Sequence, residues 1–135
     1  IKFFVFFFKL ADKFSICEIG FDRWNASQIV TDLQGDGLTM VPIGQGFVSM
    51  TAPAKELEKL VVSGKLRHGG HPVLRWMASN VTVKQDPAGN LKPDKSTSGE
   101  KIDGIVALCM ALSRLVVADP TDLSAHYAEN GLMIL

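Results

Sequence analysis

A strand–helix–strand pattern in residues 16–43 constrains the fold of this chain more than any other feature. Residues 16–21 alternate in the manner of a strand, and residues 24–35 carry apolar side chains at helical spacing before ending near two glycines. Residues 38–43 form a second apolar run. Two strands joined through a helix are expected to be parallel, with a right-handed crossover. The pattern therefore predicts an α/β fold.

Other helical and strand patterns fill the rest of the chain. The predicted elements are helices at residues 1–14, 53–63, 72–79 and 101–117, a hairpin of residues 81–84 and 91–92 around a turn at 86–90, a polar and mobile loop at 93–99, and a weakly patterned tail at 118–135. Pro53 is placed in the first turn of its helix and Gly64 just past its end. We expect a single domain without internal repeats.

Helical spacing and apolar runs also predict the core. The side chains expected to face inward are Ile29, Val30, Leu33, Leu57, Leu60, Val61, Ile102, Ile105, Val106, Cys109 and Leu112. Trp24 and Trp76 lie within apolar patterns and are expected to belong to the core as well. Cys17 and Cys109 are interpreted as buried free thiols in a reducing compartment.

Composition excludes some classes and leaves others open. The formal net charge is zero, so bulk charge does not indicate a nucleic-acid partner, although a local basic patch remains compatible with one. No apolar run reaches the roughly 18 residues that a membrane span needs. Residues 1–10 combine basic flanks with a phenylalanine-rich centre, but no convincing small-residue cleavage site follows, so a signal peptide is not predicted.

Two acids stand at predicted element boundaries. Asp22 follows the first strand, and Asp103 opens the most apolar helix. Open α/β sheets place chemistry at such strand ends, and paired carboxylates suit two-metal phosphoryl transfer. Spacing alone leaves alternatives open, because Asp22 could cap the following helix and Asp103 could be a first-turn acid favoured by the helix dipole.

Four strings in a fixed order add to this interpretation. They are Gly20-Phe21-Asp22-Arg23-Trp24-Asn25-Ala26, Gln45-Gly46-Phe47, residues 66–77 beginning Leu66-Arg67-His68-Gly69-Gly70-His71, and Lys101-Ile102-Asp103-Gly104-Ile105-Val106-Ala107. In this order and at these gaps they resemble the C-terminal nuclease domain of the large terminase subunit of tailed phages. The resemblance covers about residues 10–117.

The resemblance implies a ribonuclease H-like (retroviral integrase-like) fold with a central sheet covered by helices on both faces. It implies metal-dependent cutting of concatemeric double-stranded DNA during genome packaging, with Asp22 and Asp103 as catalytic ligands of Mg²⁺ or Mn²⁺ that face each other across one cleft. It also implies the small terminase subunit and the portal protein as partners, in the cytoplasm of a host bacterium.

The sequence departs from the family in its first residues. The family has a further acid on an early strand, and nothing in residues 1–15 matches it, because Asp12 lies in a helical pattern. No Gly-rich phosphate loop is present, so no ATPase domain is predicted. We therefore expect a truncated nuclease domain with weak metal binding. The alternative is an inactive prophage remnant, or a structural fragment that dimerises through an exposed sheet edge or its phenylalanine-rich start.

Basic side chains at loops and element ends are the predicted DNA contacts. They are Lys65, Arg67, His68, Lys92, Lys95 and Lys101. For any single lysine among them, an ordinary solvated side chain is the favoured interpretation. His68 is interpreted as structural or as a phosphate contact, and His71 as a loop or cap residue, since two glycines between them argue against a zinc pair. Ser49 and Ser113 have no suggestive base partner, so no nucleophilic triad is predicted. A Holliday-junction resolvase-like protein of the same fold class is a third possibility.

Overall fold

The computed structural model describes residues 9–24, 27–117 and 132–133. Residues 9–13 are helical. The other helices are α1 (Ser27–Gly35), α2 (Phe47–Val62), α3 (Pro72–Asn80) and α4 (Asp103–Val117). The strands are β1 (Ile19–Asp22), β2 (Met40–Ile43), β3 (Leu66–Arg67), β4 (Val83–Gln85), β5 (Leu91–Pro93) and β6 (Leu132–Met133). The chain divides into two compact units between Gly44 and Gln45.

The first unit contains the predicted strand–helix–strand arrangement. β1 and β2 are parallel and pair from Ile19 opposite Met40 to Asp22 opposite Ile43, with α1 between them in sequence. Leu33 of α1 and Ile43 of β2 are its buried apolar side chains among the described residues. The prediction of a parallel pair is confirmed. The first strand occupies Ile19–Asp22 rather than residues 16–21, so Asp22 is its last residue.

The second unit is organised around α4. The predicted inward positions Ile102, Ile105, Val106, Cys109 and Leu112 are all buried, at the spacing of one helical face. This face packs against α2 and α3, and Met50 and Leu60 of α2 are buried with it. The most apolar pattern in the sequence therefore forms the core of this unit, as predicted.

α2 begins earlier than its sequence pattern predicts. It starts at Phe47, with Gly46 as N-cap, and Pro53 lies inside the helix. Pro53 is disfavoured there because it lacks an N–H for the helical hydrogen bond. Burial of both Met50 and Pro53 shows that packing outweighs this cost. The helix ends at Val62, and Gly64 lies just past its end, as predicted, with a positive φ of 67°. The Lys65 N–H donates to the Leu60 carbonyl.

The hairpin of β4 and β5 is also confirmed, with Lys84 opposite Lys92 in an antiparallel register. Asp86 stabilises its turn by accepting hydrogen bonds from the backbone N–H groups of Ala88 and Asn90. The loop at residues 93–99, predicted to be polar and mobile, contains internal hydrogen bonds: the Asp94 carboxylate accepts from Ser96 and Thr97.

Several expectations are wrong. Cys17 is exposed, and Trp24 and Trp76 are 75% and 45% exposed. Ile29 and Val61 are also exposed, at 40% and 56%. Each residue lies on or beside a helix or strand, but apolar spacing alone does not report whether another element covers that side chain. Part of the predicted tail forms β6, which pairs in parallel with β3.

The described strands form three two-stranded sheets, β1–β2, β3–β6 and β4–β5. The structure is thus α/β with small sheets. Of the helix predicted at residues 1–14, residues 1–8 lie outside the described residues, and residues 9–13 are helical. No helix in the described parts of the chain is long and apolar enough to cross a membrane.

Candidate active site

Asp22 is held by the backbone just beyond its own strand. It is the last residue of β1, its side chain is half-buried, and its Oδ1 accepts a hydrogen bond from the Trp24 N–H at 3.2 Å. This contact is a local turn of the kind that Asp favours. The helix-cap alternative is wrong, because α1 begins only at Ser27. A carboxylate at the carboxyl end of a parallel strand is positioned for chemistry at the sheet edge.

Asp103 is held by a charged partner. It is the first residue of α4, where the helix dipole favours a negative charge. Its Oδ1 accepts a hydrogen bond from the Lys95 ammonium at 2.8 Å, and the two side chains remain 61% and 51% exposed. The hydrogen bond and charge of Lys95, with a smaller contribution from the charge of Lys101, hold the pKa of Asp103 below its usual value. Asp103 is therefore an ionised and accessible oxygen donor at neutral pH.

The chemistry of these two acids fits a divalent cation. Mg²⁺ prefers carboxylate oxygens, usually keeps several waters, and is often bound through only one or two protein carboxylates. Asp22 lies in the first unit and Asp103 in the second. Among residues 9–24, 27–117 and 132–133, no group of three His, Cys, Asp or Glu side chains could by itself hold a metal ion. Each carboxylate could supply one oxygen ligand to a cation.

The predicted basic contacts differ in how free their charges are. Lys65, Arg67 and Lys101 are exposed. Lys95 is committed to Asp103. The Lys92 ammonium donates to the Gln45 carbonyl at 3.2 Å and lies 5.5 Å from the centre of the Phe47 ring. Of the predicted lysines, Lys65 and Lys101 therefore have the most accessible charges, whereas Lys92 also braces the hairpin against the start of α2.

Sequence reasoning missed Lys84. It is exposed in β4 and lies directly opposite Lys92 in the hairpin register. The turn at Asp86 to Asn90 was predicted, so counting residues outward from that turn would have paired the two lysines. They give one small sheet two positive charges.

His68 lies at an apolar cavity of about 670 Å³ in the second unit. The cavity is lined mainly by aliphatic side chains, among them Leu57, Leu66 and Leu108. The Nδ1 atom of His68 is buried and has no hydrogen-bond partner among the described residues. Neither Asp22 nor Asp103 lines this cavity. This placement favours the structural interpretation of His68, and the phosphate contact stays a prediction.

His71 caps α3. Its Nδ1 accepts a hydrogen bond from the Leu74 N–H at 3.5 Å, and Pro72 follows in the first turn of the helix. Gly69 and Gly70 both have positive φ angles, 61° and 71°, which separate the two histidines by a tight loop. The interpretation of His71 as a cap residue is confirmed.

Comparison with known proteins adds a family to this geometry. Residues 1–119 match the family described as "Terminase large subunit, endonuclease domain". The chain is 43% identical over 101 residues to the terminase large subunit of Enterobacteria phage HK97, covering 73% of this chain and 20% of that protein. It is 37% identical over 131 residues to protein YmfN of Escherichia coli (strain K12), covering 94% of this chain and 29% of that protein.

The fold agrees with a solved relative. The crystal structure of the HK97 bacteriophage large terminase matches with a TM-score of 0.74 and 38% identity, covering 82% of this chain and 23% of that chain. The chain thus spans less than a third of the length of these relatives. The matched region includes both candidate acids and the residues around them. This chain belongs to the family of terminase large subunit endonuclease domains.

Proposed function

We propose that this chain is the endonuclease part of a phage DNA-packaging terminase, which cuts concatemeric double-stranded DNA with the help of Mg²⁺ or Mn²⁺. The observation that carries the proposal is that the family match over residues 1–119 includes two acids at element ends, Asp22 on a strand tip and Asp103 at a helix start. The ribonuclease H-like fold, with its central sheet, belongs to the same proposal and is supported by the likeness to the HK97 large terminase.

In this proposal both acids bind the divalent cations. Divalent cations, when bound, would supply the charge that activates a water and stabilises the leaving oxygen in phosphodiester hydrolysis. Asp22 and Asp103 would each supply a carboxylate ligand to these cations. The ionised state of Asp103 supports its role, since a cation binds the deprotonated carboxylate.

The exposed basic residues would hold the substrate. Lys65, Arg67, Lys95 and Lys101 carry exposed side chains, and phosphate contacts from them would give affinity that depends on salt and not on sequence. Lys92 and His68 would contribute less, because internal contacts or burial already engage them. The small terminase subunit and the portal protein are the protein partners of this proposal, and the host cytoplasm is its location.

Relaxation of supercoiled plasmid in Mn²⁺ tests the proposal. The wild-type chain is expected to nick the plasmid, EDTA to stop the reaction, and Asp22→Asn and Asp103→Asn each to lower the rate by at least about a hundredfold, as loss of charge stabilisation at a reacting phosphate does. Glu100→Gln is the matched control, because it removes a carboxylate next to α4 that has no proposed role. Unchanged nicking in both Asp variants would show that the acids are not ligands.

A non-enzymatic structural fragment is the second candidate. It is favoured by apolar side chains left on the surface, such as Trp24 at 75%, Val48 at 99% and Val62 at 83% exposure. This candidate predicts no Mn²⁺-dependent nicking and a mass larger than one chain in light scattering. A monomer that nicks DNA would exclude it.

A further inference from the structure

Hydrogen bonds hold the loop before α4 on both sides of Lys95. The Asp94 carboxylate accepts hydrogen bonds from the Ser96 N–H at 3.1 Å, the Ser96 hydroxyl at 2.7 Å and the Thr97 hydroxyl at 3.1 Å. The Ser98 hydroxyl donates to the Asp94 carbonyl at 2.7 Å and accepts from the Thr82 N–H at 3.1 Å. The backbone on both sides of Lys95 is therefore tied to the hairpin.

This loop brings the Lys95 ammonium to the candidate metal ligand. Its Nζ lies 2.8 Å from Asp103 Oδ1, which is the length of a charge-assisted hydrogen bond. Both side chains are more than half exposed, so a cation from solvent can reach the carboxylate without opening the core. Lys101 also influences Asp103, but only through its charge.

An ammonium and a metal ion compete for the same carboxylate oxygen. A bound divalent cation needs that oxygen as a ligand and would repel the neighbouring positive charge. We propose that Lys95 occupies Asp103 while the cation is absent, and that cation binding releases Lys95 to contact a DNA phosphate. This inference rests on the proposed function, because it takes Asp103 as a metal ligand. Lys95 is then a positioning residue that couples metal occupancy to DNA contact.

Mn²⁺ titration followed by NMR tests the first half of the proposal. Paramagnetic broadening of the Gly104 and Ile105 amide signals reports Mn²⁺ at Asp103, independently of any cleavage. Lys95→Met is expected to lower the apparent dissociation constant for Mn²⁺ about twofold to fivefold, the range open to an exposed ion pair. Lys101→Met, the matched control, removes a nearby charge without removing a hydrogen bond and is expected to change the constant less.

Each result of this titration has one meaning. Equal changes in the two variants, or no change in Lys95→Met, would overturn the inference and leave Asp103 as a metal ligand. No Mn²⁺ broadening near Asp103 in any variant would overturn the metal assignment in the proposed function and the inference with it.

DNA binding tests the second half. The salt dependence of binding to a short duplex is measured with and without Ca²⁺, a hard cation with the same preference for oxygen ligands. Without Ca²⁺, wild type and Lys95→Met are expected to share one slope of log K against log salt. With Ca²⁺, the wild-type slope is expected to be steeper than the slope of Lys95→Met by about 0.9, which is the effect of one phosphate contact. Equal slopes in Ca²⁺ would show that Lys95 is not released to DNA.

Discussion

The two candidate acids lie in units that are built differently. In the first unit Asp22 ends a strand of a two-stranded sheet, and a backbone N–H holds its side chain. In the second unit Asp103 begins a long helix, and the Lys95 side chain holds its carboxylate. Asp22 thus accepts a hydrogen bond from the main chain, whereas Asp103 accepts one from a charged side chain.

The packing beneath the two acids differs as well. Among the described residues, the first unit buries Leu33 and Ile43, whereas α4 alone buries Ile105, Val106, Cys109, Met110 and Leu112 in the second. A helix with one fully buried face has a single well-defined position. Asp103 therefore begins a helix with an extensive buried face, whereas the sheet that carries Asp22 buries fewer described side chains.

The two cysteines give the largest expected contrast between the units. Cys17 is exposed in the first unit and Cys109 is fully buried in the second. Burial raises the pKa of the Cys109 thiol to about 11, so about one molecule in a thousand carries the reactive thiolate at pH 8. Iodoacetamide is expected to modify Cys17 at least about a hundredfold faster than Cys109, as measured by mass spectrometry of the peptides.

Denaturant supplies the control for this labelling. In concentrated urea both thiols become accessible and are expected to react at similar rates. Similar rates in the native chain would mean that α4 opens readily, and would remove the difference in packing between the two units.

The sequence predicted what depends on local pattern. The buried face of α4 was predicted because five apolar residues recur at helical spacing, and Asp22 and Asp103 were found because each stands where a pattern changes. Exposure of Cys17 and Trp24 was not predicted, because alternation reports that a strand is present and not whether a second layer covers it.

Contacts between distant side chains could not be predicted either. Lys95 and Asp103 were given separate roles, one with DNA and one with metal, and the structure joins them. Their contact depends on the hydrogen bonds around Asp94, which set the path of a loop that the sequence shows only as polar. The residue spacing that predicts helices and strands does not predict the path of such a loop.

Matched glycine substitutions compare the close contacts of the two units. A methyl group added at Gly20 of β1 would collide with the Ile43 side chain, which is buried and has little room to move. Gly20→Ala is expected to lower the free energy of unfolding by about 1–3 kcal/mol, as overpacking does. Urea unfolding followed by circular dichroism measures this change.

Gly104→Ala is the counterpart in the second unit. Its methyl group would come within 2.8 Å of the Met77 sulfur, at the flexible end of a half-buried side chain that can shift. The Met77 sulfur also accepts a hydrogen bond from the Gly104 N–H. The preference of alanine over glycine, about 1 kcal/mol in a helix interior, applies only in part at this second residue of α4 and partly offsets the shift. The expected net change is therefore small. A larger loss at Gly104 than at Gly20 would reverse the assignment of tight packing to the first sheet.

The Lys95–Asp103 pair gives the smallest expected effect and tests whether charge positions Asp103. Because the folded chain holds the pKa of Asp103 below its usual value, the ionised carboxylate favours folding. That contribution to stability is complete above the ordinary pKa of 3.8 and is lost as the pH falls through the lowered value.

Lys95→Met is expected to raise the pKa of Asp103 toward its usual value, measured from the NMR shift of its carboxyl carbon between pH 2 and 7. Lys101→Met is expected to raise this pKa less. The cost in unfolding free energy at pH 7 is expected to stay below about 1 kcal/mol, because both side chains are exposed to screening solvent. An unchanged pKa in Lys95→Met would mean that the helix end, and not the lysine, sets the charge of Asp103, and both acids would then be held by the main chain.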